Sequence, residues 1–534
     1  MPKNKGVESA NLNTSETDKN LKIVVKGAGL IFVGLVFSKI LTYFYRLIVA
    51  RYYGPEDYGL ISIGLSVIGV LVVILVLGMD VGIVRYVSEY KAKKDEKKIK
   101  GSILAPFRIS LPLSIAAAIL FWVFSPHIAG IFAKDAATQL SLTIIFQVFS
   151  LTIPFTVMYK FLLAANSGLQ KIKYNVYTDN IFYSIILVST AILFSFLGFN
   201  IGGIAWSYTI TVIVSFIFIF WSFNKKVFNI FSGVKPIFEN QKFLKYSIPL
   251  FIGSTASIVI GSFDTIILGV FTTANDVGFY NAALPTAKFI AIFGAAFSAL
   301  FAPIVIGYKT RKMNRNILTL YRTLTKWIFF VGFPFVLLLV FFSRNILNFL
   351  FGPEYVSAPT IFSLSILGVA FFIESVLILA YVILFSIDKT KYRMVNIILA
   401  ALINIILNIV LIPHYGILGA AISTSISVIL AVSLDSFFVW KFTRMFPLDF
   451  RAIFKSVFAG LSSLTLVFLL YRYVELPLSI ITFLPALFSY LLLYFVLLLI
   501  FRALDRNDIY ILTEIEKSGI RIKFIRRFFK RFVR

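Results

Sequence analysis

The chain has 534 residues, of which 59% are apolar and only 14% are charged, and its formal net charge at pH 7 is +27. A soluble protein carries roughly 25% charged residues, so this composition excludes an ordinary soluble protein and indicates a polytopic membrane protein. The absence of cysteine and the presence of only two histidines exclude disulfides and thiolate chemistry and argue against a zinc site or a Ser-His-Asp triad.

The chain begins with a polar segment, residues 1–20, that lacks the basic, apolar and cleavage regions of a signal peptide. We expect this segment to be a disordered cytoplasmic terminus. About 14 apolar runs follow, each long enough to cross a hydrocarbon core of about 30 Å as a helix. The runs lie at residues 25–50, 59–86, 102–125, 138–165, 174–197, 201–223, 246–271, 278–306, 318–342, 357–386, 393–413, 415–440, 452–472 and 478–501.

Lysine and arginine are concentrated in every second connection between these runs, as in KAKKDEKKIK after the second run and YKTRKMNR after the eighth. The opposite set of connections contains only Arg51, Lys134, Arg344 and Arg472. This bias follows the positive-inside rule, so we predict that both termini are cytoplasmic in a plasma-membrane protein. The basic surplus is then topological, and we expect no nucleic-acid partner.

Residues 502–534, at the end of the chain, are rich in lysine and arginine and show a periodic pattern of apolar residues. Apolar residues recur there at helical spacing, namely Ile522, Ile525, Phe528, Phe529 and Phe532, with lysines and arginines on the other faces. This pattern predicts an interfacial amphipathic helix on anionic headgroups.

An internal repeat organises the spans. Asp57-x-Gly59 recurs as Asp276-x-Gly278, and two further local matches pair Lys173 with Lys391 and Gly203 with Gly419 at nearly the same separation. Six spans separate the copies, so the repeats have the same orientation and are related by a two-fold axis along the membrane normal. We attribute the hinge glycines to the turn, because glycine lets the chain leave a turn without a Cβ clash.

The predicted domains follow from this repeat: an N-lobe at 21–223, an inter-lobe linker at 224–245, a C-lobe at 246–440, and two additional spans at 441–501.

The stretch ARYYGPEDYGLISIGLSVIG, followed by LGMDVGIVRYVSEY, resembles the first helical pair of the polysaccharide-biosynthesis flippases. DVGFYNAA resembles the second-half signature of that family, and PHYGILGAAIST its connection between spans 11 and 12. The resemblance covers spans 1–12. It implies membership of the multidrug/oligosaccharidyl-lipid/polysaccharide superfamily, with lipid II flippases and multidrug-and-toxin extruders.

The resemblance implies a V-shaped, two-lobed transporter that moves a polyprenyl-linked oligosaccharide from the cytoplasmic to the outer leaflet. Lipid II flippases carry arginines in spans 1, 2 and 8. Here Arg46 and Arg85 lie in spans 1 and 2, and span 8 has Lys288 instead. The resemblance therefore implies a cationic cavity to which these residues contribute.

Ionisable residues within spans are costly in hydrocarbon, so they usually face a cavity or each other. Lys39, Tyr43 and Arg46 share one face of span 1 and could bind a lipid pyrophosphate. The alternative for Arg46 is that its side chain snorkels to the outer interface.

Three acidic residues are candidates for charge pairing or coupling. Asp264 in span 7 and Glu374 in span 10 could neutralise Lys39 and Lys288, or take up H⁺ or Na⁺. Asp80, together with Asp179 and other charges near the cytoplasmic ends, could form a gate. Asn404 and Asn408 share one face of span 11 and could bind sugar hydroxyls or pack between helices.

The sequence favours a lipid-linked oligosaccharide flippase that works by alternating access. A cation-coupled multidrug exporter of the same architecture is the alternative, which the cationic stripe in span 1 disfavours. A membrane glycosyltransferase or polymerase is disfavoured by the short outer loops, which contain no Asp-x-Asp. We expect no catalytic residue, resident metal or cofactor, and a monomer whose partners are membrane lipids, the lipid-linked oligosaccharide and glycan-assembly enzymes.

Overall fold

The computed structural model describes residues 5–473, 480–505 and 508, with side chains from residue 34 onward except those of 249–250, 252–260 and 471–484. The described chain is helical and contains no strand. The all-helical class predicted from the composition is therefore confirmed, and the apolar helices are those of a multi-pass membrane protein.

The helices are α1 (Lys5–Val76), α2 (Met79–Ala92), α3 (Glu96–Phe132), α4 (Ala136–Ser150), α5 (Thr152–Gly168), α6 (Ile172–Asn175), α7 (Tyr183–Phe196), α8 (Ile201–Lys226), α9 (Asn240–Phe271), α10 (Ala274–Lys288), α11 (Ala291–Thr310), α12 (Asn314–Phe341), α13 (Ser343–Leu350), α14 (Ala358–Leu377), α15 (Leu379–Ser386), α16 (Thr390–Thr443), α17 (Phe450–Tyr473) and α18 (Ile480–Ile500). A π-helical turn, Val176–Phe182, joins α6 to α7, and a 3₁₀ turn, Pro353–Tyr355, follows α13.

Nine helices within the described ranges are long and apolar enough to cross a membrane, or ten if the bent pair α4 and α5 forms one span. Two of the nine extend over two predicted spans: α16 contains both of its spans, and α1 contains the first span and most of the second. They are divided at Gly54 (φ 83°) and Gly416 (φ 52°), where the backbone leaves the helical conformation. Glycine adopts this left-handed region without a Cβ clash, so each break redirects the chain. The count of about 14 spans remains a prediction.

The first helix starts earlier than the sequence predicts. Residues 5–20 belong to α1, although their polarity predicted disorder. No glycine or proline occurs between residues 7 and 26, so helix propagation from the first span meets no breaker there. At the other terminus, the predicted tail helix lies outside the described residues beyond Asp508.

The two halves of the chain meet at the end predicted to face outward. Gly59 of α1 lies so close to α10 that a Cβ on it would be 1.8 Å from the Ala274 carbonyl oxygen, and a Cβ on Gly278 would be 1.9 Å from the Pro55 carbonyl oxygen. These four residues occupy matching places in the two repeats, so the contact is reciprocal. We call it the outer closure.

The role predicted for the hinge glycines is corrected by this contact. Neither Gly59 nor Gly278 has a positive φ, so neither is required by turn conformation. The two hinges also differ locally: the first places Pro55 after the left-handed Gly54, whereas the second starts α10 with a capping box formed by Thr273 and Asp276. What the repeats share is the close approach of two backbones.

The halves also meet at the opposite end, which we call the cytoplasmic closure. A Cβ on Gly82 of α2 would be 2.4 Å from the side-chain oxygen of Ser247 in α9. The Tyr86 hydroxyl donates to the Lys242 carbonyl at 3.2 Å. The two helices therefore pack closely, but Gly82 lies against the side chains of Ser247 and Phe243, whereas the glycines of the outer closure lie against backbone carbonyls.

A charged cluster fastens the linker that precedes α9. The Glu239 carboxylate accepts a hydrogen bond from Tyr90 and forms ion pairs with Lys98 at 2.8 Å and Lys242 at 3.4 Å. Hydrogen bonds from Lys98 and Tyr90 lower the pKa of Glu239 from 4.5 to about 2. Glu239 therefore stays ionised and joins α2 and α3 to the start of α9.

Candidate functional site

The predicted stripe of α1 faces α10. The Tyr43 hydroxyl is 2.8 Å from the Thr286 hydroxyl. The Arg46 guanidinium donates to the Tyr58 hydroxyl at 3.3 Å, and Tyr58 in turn donates to the Asn281 carbonyl at 2.9 Å. Arg46 is thus held in the interface between the two halves, which disfavours the alternative that it snorkels to the outer surface.

Lys39 and Lys288 border an open space between the halves. Both side chains are exposed. The Lys288 ammonium nevertheless lies 3.8 Å from where a Cβ on Gly261 of α9 would be, and 5.6 Å from the Phe371 ring centroid in α14. Lys39 acts electrostatically on Lys288 in the C-terminal half and on Asp179 in the N-terminal half. We call the space that these two lysines border the central cleft.

Carboxylates flank Lys288 without touching it. Glu374, which is half-buried in α14, and Asp264 in α9 are the acidic groups that act on Lys288. Among the described side chains, no ion pair within 4 Å joins Lys39 or Lys288 to a carboxylate. The predicted neutralisation is thus not a bonded pair for either lysine, and it stays a prediction.

Asp264 is fully buried and serves as the centre of a polar cluster in the C-terminal half. Its carboxylate accepts hydrogen bonds from Tyr280 at 2.7 Å, from Asn408 at 2.6 Å and from Thr424. The residues come from α9, α10 and α16, so the carboxylate joins three helices. No sequence pattern indicates that Tyr280 and Thr424 are hydrogen-bond partners of Asp264.

Asn404 and Asn408 differ from their predicted role at sugar hydroxyls. Both side chains are fully buried, and the Asn408 amide donates to the Asn404 carbonyl oxygen at 3.2 Å as well as to Asp264. Their shared helix face was predicted, but that face is turned toward Asp264 rather than toward the central cleft. The competing interpretation, interhelical packing, describes this arrangement better.

Asp80 and Arg85 occupy different surroundings, although both are in α2. Asp80 is half-buried and acts on Lys160 of α5. Arg85 is exposed, with its guanidinium 4.1 Å from the Tyr246 ring centroid at the cytoplasmic closure. The structure therefore does not bring Arg85 to Lys39 and Lys288. Helical spacing alone could not indicate which residues of α2 lie beside the central cleft and which lie beyond its end.

Asp179 is a cleft residue that the sequence placed only near the cytoplasmic ends. It lies in the π-helical turn Val176–Phe182 and accepts a hydrogen bond from the Tyr159 hydroxyl at 3.0 Å. Lys39 and Lys160 are the cations that act on it. The wider turn changes which side chains face α1, and no sequence pattern marks such a turn.

An apolar cavity of about 300 Å³ adjoins the stripe of α1. Tyr43 and Thr286 form its polar edge, and the remaining walls come from the connection between α10 and α11 and from α11, α12, α13 and α18. Representative wall residues are Phe293, Leu338, Ile346 and Leu487. Tyr43 therefore borders the apolar cavity while its neighbours on the same helix face, Lys39 and Arg46, carry positive charge.

Comparisons with known sequences identify a family and several relatives. The profile described as "Polysaccharide biosynthesis protein" matches residues 24–303, more than half of the chain. An uncharacterized membrane protein of Methanocaldococcus jannaschii is 25% identical over 75% of this chain and 80% of its own length. The "Probable low-salt glycan biosynthesis flippase" of Haloferax volcanii is 22% identical over 78% of this chain and 82% of its own length.

A comparison with solved structures finds the same fold. The structure of "Lipid II flippase MurJ, inward closed conformation" superposes with a TM-score of 0.71, covering 88% of this chain and 98% of that one at 18% identity. At this identity the likeness concerns the fold.

Proposed function

Because the chain belongs to the polysaccharide biosynthesis protein family, we propose that it translocates a polyprenyl-(pyro)phosphate-linked oligosaccharide from the cytoplasmic to the outer leaflet. One observation carries this proposal: Lys39 and Lys288, from opposite halves, border the same space, and neither has a carboxylate within 4 Å among the described side chains. Two lysines placed in this way suit an anion that both halves hold at once.

The headgroup would bind in the central cleft. Ammonium groups act as point charges toward phosphate oxygens, and a guanidinium adds bidentate donors. Lys39 and Lys288 supply the first kind of contact. Arg46 supplies the second kind: among the described side chains it has no carboxylate within 4 Å, and its guanidinium donates to the Tyr58 hydroxyl, a partner that a phosphate oxygen can replace.

The lipid would remain in an apolar environment throughout. The cavity of about 300 Å³ beyond Tyr43 and Thr286 has apolar walls and lies beside the cationic stripe. A polyprenyl chain gains free energy by leaving water, at roughly 25 cal/mol per Å² of apolar surface buried. We propose that the first isoprenoid units occupy this cavity while the pyrophosphate reaches Lys39.

Alternating access would use the two closures in turn. The outer closure joins Gly59 and Gly278 to opposing backbones, and the cytoplasmic closure joins Gly82 to Ser247. Opening one while the other stays closed would expose the central cleft to one side at a time. An inside-negative membrane potential favours the export of an anion by about 2.3 kcal/mol per charge per 100 mV.

Asp264 is the proposed coupling group. Its carboxylate is buried among hydroxyl and amide groups of three helices, and the Asn408 carbonyl oxygen has no partner among the described residues. Binding of H⁺ or Na⁺ at this carboxylate would change the packing of α9 against α16. Such a change links ion binding to the arrangement of the C-terminal half.

Reconstitution tests the function. Purified protein in liposomes is given a polyprenyl pyrophosphate that carries a fluorescent sugar, and transfer between leaflets is measured by quenching from outside. We expect the wild type to translocate it and Lys39→Ala to lower the rate at least tenfold, with Lys171→Ala, an exposed lysine outside the spans, as the matched control. Transport of cationic dyes without transfer of the lipid-linked sugar would establish the exporter alternative instead.

A further inference from the structure

The surroundings of Lys39 include a carboxylate that the proposed translocation does not use. Asp179 is half-buried in the π-helical turn Val176–Phe182, where the Tyr159 hydroxyl donates to it at 3.0 Å. Lys39 and Lys160 are the positive groups that act on it. The Asp179 carboxylate therefore interacts electrostatically with Lys39, the same lysine to which we assign binding of the headgroup.

Direct contacts fix this relationship between α1 and the π-helical turn. The hydroxyls of Ser38 and Ser184 are 2.9 Å apart. A Cβ on Gly34 would be 2.5 Å from a Val176 methyl and 3.1 Å from the Asn180 amide nitrogen. Ser38 precedes Lys39 and Asn180 follows Asp179, so these contacts hold the two charged residues on facing helices.

The two charges nonetheless do not form an ion pair. Among the described side chains, no ion pair within 4 Å joins Lys39 to Asp179, and the carboxylate instead accepts a hydrogen bond from the Tyr159 hydroxyl. A lysine side chain is long and rotatable, so Lys39 can turn toward Asp179 or toward the central cleft, where it is exposed. The Lys39 ammonium therefore remains available to a ligand.

We propose, resting on the function proposed above, that Asp179 is a positioning residue that competes with the anionic headgroup for Lys39. In the empty protein Asp179 balances the lysine charge across the gap. When a pyrophosphate enters, Lys39 bonds to it, and the repulsion between Asp179 and the phosphate oxygens limits the affinity. The same repulsion favours release once the outer side opens.

This competition has a kinetic consequence. A flippase that binds its substrate too tightly before release gains no rate from that binding. Removing the Asp179 charge should strengthen binding and slow release together. A residue with a purely structural role would instead lower the rate without strengthening binding.

Glu374 provides the corresponding balance for Lys288 in the other half. It acts on Lys288 and on Arg393, again without an ion pair to Lys288 within 4 Å among the described side chains. Each cleft lysine thus has a half-buried carboxylate across a gap, and Lys288 is also acted on by the fully buried Asp264.

The test compares wild type with Asp179→Asn, a variant that retains an oxygen to accept from Tyr159. Initial translocation rates in liposomes are measured against the concentration of the fluorescent sugar-linked polyprenyl pyrophosphate. We expect Asp179→Asn to lower the apparent KM about five- to tenfold and to lower the maximal rate by a similar factor. Asp179→Glu, which keeps the charge, should remain within about twofold of wild type in both quantities.

Two controls separate the possible failures. Tyr159→Phe removes the hydrogen bond but not the charge, so it should not lower the apparent KM. Binding of the same lipid is also measured directly, from the thermal shift of the purified protein. An apparent KM and an affinity in Asp179→Asn that are unchanged or weaker overturn the competition. A wild type that binds the lipid without moving it contradicts the proposed function, while the comparison of affinities still decides the role of Asp179. Absence of binding in both proteins overturns both proposals.

Discussion

Gly59 and Gly278 each lie against a backbone carbonyl of the opposite half, at distances that leave no room for a Cβ atom. Gly59 contacts Ala274, and Gly278 contacts Pro55. Pro55 precedes Gly59 by the same number of residues as Ala274 precedes Gly278, so the two contacts form one symmetric closure. Such a contact has no side chain that could adjust. It therefore closes fully or separates as a unit, which suits a gate better than a flexible surface contact does.

Gly59→Ala and Gly278→Ala should each shift the protein toward an outward-open state. The added methyl would lie within 2 Å of a carbonyl oxygen, so the backbones must separate. The chain has no cysteine, so a single Thr286→Cys can report this opening through labelling by a membrane-impermeant maleimide from outside. We expect labelling to be at least fivefold faster in either alanine variant.

Gly69→Ala is the matched control for this experiment, because it lies in the same helix and no atom lies within 4 Å of its added Cβ. Equal labelling rates in Gly59→Ala and Gly69→Ala would show that the glycine contact does not control the outer end.

Glu239→Gln should loosen the cytoplasmic closure. The variant loses the ion pairs with Lys98 and Lys242 that join α3 and the start of α9. We expect faster hydrogen–deuterium exchange of the amides in 239–247. Glu89→Gln breaks only an i, i+4 ion pair with Lys93 at the C-terminal end of α2, so it should leave that exchange unchanged.

The pH dependence of this closure follows from the same contacts. Because Lys98 and Tyr90 lower the pKa of Glu239 from 4.5 to about 2, its contribution is fully present above about 4.5 and is lost as the pH falls through about 2. The difference in exchange between wild type and Glu239→Gln should therefore be constant from pH 5 to 8. A difference that disappears between pH 7 and 5 would contradict the assignment of Glu239 as the fastening group.

Asp508→Asn should destabilise the protein more than Asp505→Asn. Lys326 of α12 is buried and pairs with Asp508 at 2.8 Å and with the more exposed Asp505 at 2.9 Å, while the Trp327 indole also donates to Asp508. Asp508→Asn leaves the buried Lys326 ammonium with only the more exposed Asp505, so its cost should approach the roughly 3 kcal/mol of a broken buried pair, whereas loss of the partly exposed pair with Asp505 costs about 1 kcal/mol or less. Thermal unfolding in detergent measures the order, and equal losses would contradict it.

Asp264→Asn should uncouple translocation from an ion gradient. The substitution keeps an oxygen that can accept from Tyr280 and Thr424 but removes the charge that H⁺ or Na⁺ would neutralise. We expect the translocation rate of the wild type to depend on one of these two gradients and that of Asp264→Asn to depend on neither. The coupling assignment fails if the variant retains the full response.

The sequence was sufficient for the features that depend on hydrophobic runs and helical spacing. The apolar runs predicted an all-helical membrane protein, and the i, i+4, i+7 spacing placed Lys39, Tyr43 and Arg46 on one face of α1. The i, i+4 spacing of Asn404 and Asn408 likewise gave their common face. These predictions use only the geometry of a single helix.

The features that the sequence could not provide depend on contacts between helices. The prediction that Asn404 and Asn408 share one helix face was correct, but the sequence did not indicate that this face packs against Asp264 of another helix. Asp179 faces Lys39 across a gap from a π-helical turn, and no local sequence pattern predicts such a turn. Gly59 was assigned to a turn, but it is required by the close approach of a backbone from the opposite repeat, more than two hundred residues away. The residues beside Gly59 give no indication of that contact.

The central claim is that one anionic headgroup is held by both halves at once, and a double-mutant cycle tests it most directly. Binding of the fluorescent sugar-linked polyprenyl pyrophosphate is measured for wild type, Lys39→Gln, Lys288→Gln and the double variant. We predict that each single change weakens binding at least tenfold and that the double change falls short of the sum by more than about 0.5 kcal/mol, because the lysines share one ligand. Wild-type affinity in either single variant, or strictly additive losses, would contradict a headgroup shared between the halves.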